Sequence, residues 1–219
     1  MKSRSSNKGF SLIELMIAMT IMLVLLGIVS VLLSRAFSVR QRESQRTDAL
    51  TSAQAALNVI SREIANSGFG IQSGTNSRLA SNGIIPADSN SSRIHFRANV
   101  NNFGPMSGSG TVLATDNAGE DVTYFYDDAT DSIVRYDPND SPQTSVVVNR
   151  ISAITFRYFD YSGTNSSGVE VSTPTENTGR VSIRVLVQLD PVHGQPNPLD
   201  VQFTSEVTLR NSSYMLNQY

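Results

Sequence analysis

Glu14 is the one charged residue in an apolar run that extends from Phe10 to Leu33. At the centre of a membrane helix an acidic side chain costs roughly 2.5–3.5 kcal/mol on insertion scales, and acids that persist there usually have a partner. The chemistry open to such a residue is charge pairing, because a carboxylate in lipid gains most from a cation brought within hydrogen-bond reach. The other reading is that Glu14, close to the end of the run, reaches the headgroup region without a partner.

The run can carry that charge. Between Leu12 and Leu33 it holds fourteen Leu, Ile and Val side chains. At roughly 0.3–0.6 kcal/mol each they contribute about 4–8 kcal/mol to insertion. A helix of about 24 residues covers roughly 36 Å, slightly more than the hydrocarbon core. Lys2, Arg4 and Lys8 precede the run with no acid among them, as in a secretory signal. The apolar part is longer than the roughly 7–15 residues of a signal core, however, and the A-x-A-like site after it, Ser34-Arg35-Ala36, has an arginine at its centre. The segment is expected to stay on the protein.

Acids are the second group with chemical potential. Asp116, Glu120, Asp121, Asp127, Asp128, Asp131, Asp137 and Asp140 fall in one stretch with Arg135 as the base among them. Asp127, Asp128 and Asp131 are calcium candidates, since a hard cation takes carboxylate and carbonyl oxygens, yet the segment lacks the ligand order and glycine of an EF-hand. Solvated turn residues are the alternative. A stretch this acidic disfavours nucleic acid, which needs basic side chains to meet phosphate.

Catalytic constellations are missing from the pattern. The chain has Cys 0 and His 2, so thiol chemistry and disulfides are excluded and only His95 and His193 supply imidazoles. His95 alternates with Ile94 and Phe96, which predicts the outer face of a strand, and His193 lies in the turn Asp190-Pro191-Val192-His193-Gly194. No G-x-S-x-G, H-E-x-x-H or Gly-rich phosphate loop accompanies them, so neither an enzyme nor a cofactor is expected.

The elements that position these residues begin with a helix that outlasts the apolar run. Leu50, Ala53, Leu57, Ile60 and Ile64 recur at intervals of three and four, a stripe expected to pack on the following domain. No proline occurs before Pro86, and Asn66-Ser67-Gly68 supplies a stop. Strands follow. The two strongest alternations are Val181 to Leu189 and Val201 to Arg210, with weaker ones at Arg93 to Arg97, Asp121 to Tyr126, Ser132 to Tyr136, Ser145 to Asn149 and Ile154 to Tyr161. Gln72 to Asn82, Asn99 to Gly119 and Ser162 to Gly179, rich in Ser, Asn, Gly and Thr, read as loops. The fold class is α+β, a long N-terminal helix packed on an antiparallel β-sheet head.

Lys8-Gly9-Phe10-Ser11-Leu12-Ile13-Glu14-Leu15-Met16 resembles, almost letter for letter, the class III leader of type IV prepilins and type II secretion pseudopilins. The resemblance covers about the first thirty residues. It implies cleavage between Gly9 and Phe10 by a prepilin peptidase on the cytoplasmic side, N-methylation of Phe10, and pairing of Glu14 with the terminal ammonium of a neighbouring subunit during assembly. It divides the chain into a leader at 1–9, a transmembrane and assembly helix at 10–34, an amphipathic helix at 35–67 and an extracytoplasmic β-rich head at 68–219, in a pilin-like lollipop. It also sets the orientation. Arg35, Arg40, Arg42 and Arg46 after the span balance Lys2, Arg4 and Lys8 before it, so the positive-inside rule does not decide.

Many major pilins close a C-terminal loop with a disulfide, which a chain without cysteine cannot do. Ile60-Ser61-Arg62-Glu63-Ile64 followed by Gly68-Phe69, the Tyr124 to Tyr136 hairpin and Ile154-Thr155-Phe156-Arg157-Tyr158 look more like PilW-type minor pilins and the related J-type pseudopilins. What the resemblance implies is a minor pilin priming filament assembly at the tip. Its partners would be other minor pilins, the major pilin, the prepilin peptidase, the inner-membrane assembly platform and membrane lipid. The alternatives are a minor pseudopilin of type II secretion and a membrane-anchored adhesin or ligand-binding module.

Overall fold

The computed structural model describes residues 10–71, 81–100, 115–162, 167–189, 191 and 199–216. Gly9, His193 and most of the first two expected loops lie outside the described residues. Among the described residues a long helix, α1 (Leu12–Ala65), is followed by eight strands and a short helix, α2 (Ser213–Leu216). The chain divides into two compact units: α1 as far as Arg46 falls in the first, and the remainder of α1 with all the strands in the second.

In the first unit α1 follows from its Leu, Met and Ala, whose side chains lose little freedom in a helix, and from the lack of proline, which outweigh the mild cost of its β-branched Ile and Val. Its apolar residues are exposed all round, from Leu12 at 76 % to Leu33 at 52 %. A helix apolar on every side belongs in a protein core or a membrane, and this one is long and apolar enough to cross a membrane.

The second unit begins where α1 becomes one-sided. Ala53, Ala56, Leu57, Ile60 and Ile64 are buried. Leu50, expected on the same stripe, is 38 % exposed, because the core meets this end of the helix through Ala49 and Ala53, on the Ala56 side. The helix ends as its sequence predicts. Ser67 N–H donates to Ile64 O, and Gly68 then takes φ 76°, where an added Cβ would lie 1.9 Å from Ser81 O.

The strands form two antiparallel four-stranded sheets, where the sequence predicted one sheet. In the first, β1 (Arg93–Arg97), β2 (Asp121–Asp127), β3 (Ser132–Tyr136) and β4 (Thr144–Asn149) run in chain order. In the second the order is β6 (Val169–Val171), β5 (Ala153–Asp160), β7 (Thr178–Leu189), β8 (Leu199–Thr208). Alternation fixes the faces: Ile154, Phe156 and Tyr158 of β5 lie opposite Val185, Ile183 and Val181 of β7, and all six are buried. Ile94, Phe96, Val122, Tyr124, Ile133 and Val148 supply the first sheet's share of the same core, together with the α1 stripe.

Polar links tie the end of α1 to both sheets. Tyr124 O–H donates to Glu63 at 2.8 Å, Ser61 and Ser205 hydroxyls lie 3.0 Å apart, and Arg210 N–H donates to Ala65 O. Ser67 O–H donates to Asn82 O at 2.6 Å, and the Asn82 amide donates on to Thr175 O and Thr178 O. Each is a buried or half-buried polar group that would otherwise lose water without compensation.

Candidate functional site

At the start of α1, Phe10 is 90 % exposed and precedes the first helical turn. Ser11 is the N-cap position. Its N–H donates to the Glu14 carboxylate at 2.9 Å, while its carbonyl accepts the first helical N–H from Leu15. The spacing of three is the reach of a capping box, in which an acid takes one of the four N–H groups that a helix start leaves unpaired. Glu14 also sits where the helix dipole favours negative charge. Beside the two readings of Glu14 that the sequence offers, an external cation or the headgroup region, the structure adds this local role. A carboxylate accepts about four hydrogen bonds, so one N–H leaves most of its capacity open.

Further along α1 the polar side chains turn back on the helix. Thr20 O–H donates to Ile17 O at 2.8 Å and Ser38 O–H to Ser34 O at 2.9 Å. Both hydroxyls are thereby satisfied within the helix, which matters most for Thr20, inside the apolar run. Beyond the apolar run Arg35, Arg40 and Arg46 are exposed.

The acidic stretch of the head does other work. Asp127 accepts from Ala129 N–H at 3.1 Å and Thr130 O–H at 2.6 Å, closing its own turn. Asp131 accepts from Tyr126 O–H at 2.8 Å, and that hydrogen bond, with minor burial, raises the phenol above its ordinary range. Asp137, fully buried, accepts from Gly119 N–H, Asn139 N–H and Arg135. Glu120, also fully buried, accepts from Asn117. Among the described residues no group of three or more His, Asp or Glu side chains is placed to hold a metal ion.

Arg135 is the hub of this region. Its Nε reaches Glu63 of α1 at 3.2 Å and a terminal nitrogen reaches Asp137 at 3.3 Å. Burial alone would lower the guanidinium, but Glu63, then Tyr124 and Asp137, more than offset it and hold it above its ordinary value. Burial first, and Glu63 second, push the Tyr124 phenol far up.

His95 departs from its expected place. It does point away from Ile94 and Phe96, but that side of β1 is covered, and its side chain is 11 % exposed. Nδ1 lies 3.1 Å from Asp88, in the 3₁₀ turn Pro86–Asp88, and Nε2 lies 2.5 Å from Asp121 on β2, whose other oxygen accepts from Arg97. It is a structural cross-link between β1, β2 and the turn. The signal that could have located it is the pairing of β1 with β2, which sets His95 opposite Thr123 and Arg97 opposite Asp121.

A family model described as the prokaryotic N-terminal methylation motif matches residues 4–30. No curated protein and no solved structure matches the chain. The chain therefore carries a type IV pilin-like class III leader. The motif supports a type IV pilin or pseudopilin, and with the exposed apolar helix it is consistent with membrane anchoring.

Proposed function

We propose that this chain is a minor pilin of a type IV pilus, a structural subunit and not an enzyme. It is cut between Gly9 and Phe10, methylated at Phe10, and placed at the filament tip, where it primes assembly with other minor pilins and the major pilin. Before assembly it is held in the inner membrane by residues 10–34 with its head outside the cytoplasm.

The observation that carries this reading is the join of three features at one helix end. The methylation motif spans the cut, Phe10 and Glu14 lie at the first turn, and every apolar side chain of the following run is exposed. Cleavage removes Lys2, Arg4 and Lys8 and turns the Phe10 nitrogen into an ammonium one turn before Glu14. In lipid each charge is costly alone, and a neighbouring subunit's ammonium set against Glu14 neutralises both. The exposed apolar surface then packs against other helices instead of lipid. The absence of cysteine supports a minor subunit, since no disulfide can close the C-terminal loop as it does in many major pilins.

The Glu14→Val variant tests this. It keeps an apolar helix and is expected to be processed and folded, yet to leave cells without filaments. Filaments in normal number from a strain carrying only this variant would overturn the proposal.

A further inference from the structure

A cleft of about 440 Å³ opens in the second unit between the β2–β3 turn, the β4–β5 connection and Gln188 of β7. That lies within the roughly 300–1,000 Å³ of small-molecule sites. Nothing in the assembly reading uses it.

Two backbone outliers meet there. Asp131, at φ 47°, and Arg150, at φ 61°, are the non-glycine residues with positive φ among those described, and both line this cleft. Ile151 N–H donates to Asp131 O at 2.9 Å, tying the two turns together. Aspartate tolerates this conformation, but arginine gains nothing from it, and glycine would sit there without strain. At Gly68, Gly70, Gly83, Gly119 and Gly168 the chain does use glycine for positive φ. Keeping an arginine at position 150 therefore points to its guanidinium and not to its backbone.

That guanidinium is exposed and, among the described residues, makes no hydrogen bond or ion pair. Asp131, the carboxylate of the lining, accepts from Tyr126 O–H, and among the described residues it forms no ion pair with Arg150. An arginine fork matches a carboxylate with two parallel hydrogen bonds. Around it stand the amides of Asn149 and Gln188 and the hydroxyl of Ser152, groups that read hydroxyls. Ser152 O–H donates to Leu186 O and the Gln188 amide N–H to Asp200, which holds both with acceptor oxygens free. The lining is too polar for a lipid, and a single free cation is too little for a nucleic acid.

We infer that this cleft binds an acidic saccharide, with Arg150 receiving its carboxylate and the amides and hydroxyl its ring hydroxyls. This does not rest on the assembly proposal, since the cleft belongs wholly to the head.

The test titrates the full chain in detergent micelles with trigalacturonate, a neutral trisaccharide and acetate, following binding by calorimetry and folding by thermal melting. Trigalacturonate is expected to bind saturably at millimolar concentration or below, with the neutral sugar at least about tenfold weaker and acetate not saturating. The Arg150→Gln variant is expected to lose binding with its melting temperature unchanged, and Arg150→Gly to lose binding while melting higher, because glycine relieves the strain. No saturable binding of trigalacturonate, equal binding of either control, or full affinity in both variants would overturn the inference.

Discussion

Replacing Arg135 with methionine removes the cation at the centre of the Glu63–Arg135–Asp137 group and keeps most of the side chain's volume. Its ligands stand at 3.2 Å for Glu63 and 3.3 Å for Asp137; Asp140, at 3.6 Å and 43 % exposed, adds little. Stranding a buried charge by deleting its partner costs about 3–5 kcal/mol when nothing else solvates it. Here part of that is offset. Glu63 keeps Tyr124 O–H and is 27 % exposed, and Asp137 keeps two backbone N–H groups. The loss should therefore fall at about 2–3 kcal/mol, or roughly 5–10 °C in melting temperature for a head of this size. The assay is near-ultraviolet circular dichroism of the full chain in detergent during heating. Glu63→Gln and the double variant complete a cycle whose coupling energy is expected at about 1–2 kcal/mol. A loss below about 0.5 kcal/mol, the scale of a solvated surface pair, would refute the reasoning.

Alkaline pH should unfold the head through its buried phenols. Tyr124 and Tyr158 are held well above the ordinary value of 10.0, chiefly by burial. Their contribution is complete below the unfolded value and is lost as pH rises through the folded one, so stability should fall progressively above pH 10. Phenolate absorbance should accordingly show these two tyrosines ionising only with unfolding; free titration near pH 10 would contradict this. In the helix, Ile60→Ala should cost about 2–5 kcal/mol, since Ile60 is fully buried in the core, while Leu50→Ala should stay within about 0.5 kcal/mol. Chemical denaturation of the two variants side by side measures the difference, and equal losses would mean the core reaches further round α1 to the Leu50 side.

What the chain discloses in advance depends on how local each cause is. Strands β1 and β3 have the bounds that the sequence pattern predicts, although three consecutive residues are buried in each and burial along them does not alternate. The helix stop at Gly68 is likewise local. Strand β6 was not foreseen: Val169–Val171 is three residues within a Ser- and Thr-rich segment and exists by pairing with Tyr158 to Asp160. The split into two sheets is hidden for the same reason, since alternation assigns faces and not neighbours. Leu50 lies at the edge of the stripe, because the core meets α1 on the side of Ala49, Ala53 and Ala56. Alternation puts His95 on the outer face of β1, and its cover comes from Asp88 and Asp121, brought to it by a turn and a neighbouring strand. At the N-terminus, the Gly9 to Met16 pattern and the isolated acid were legible because insertion cost and leader pattern are properties of contiguous residues. The N–H that Glu14 already serves was not, although Ser11 and Glu14 stand at capping-box spacing.

The proposal for the N-terminus reduces to one chemical event, the creation of a new amino terminus at Phe10 with Glu14 one turn inside. Intact mass spectrometry of the protein from native membranes tests it most directly. The account predicts a chain that lacks Met1 through Gly9 and carries one added methyl group on the Phe10 nitrogen. A chain that retains Met1 through Gly9, with Phe10 unmodified, would contradict it.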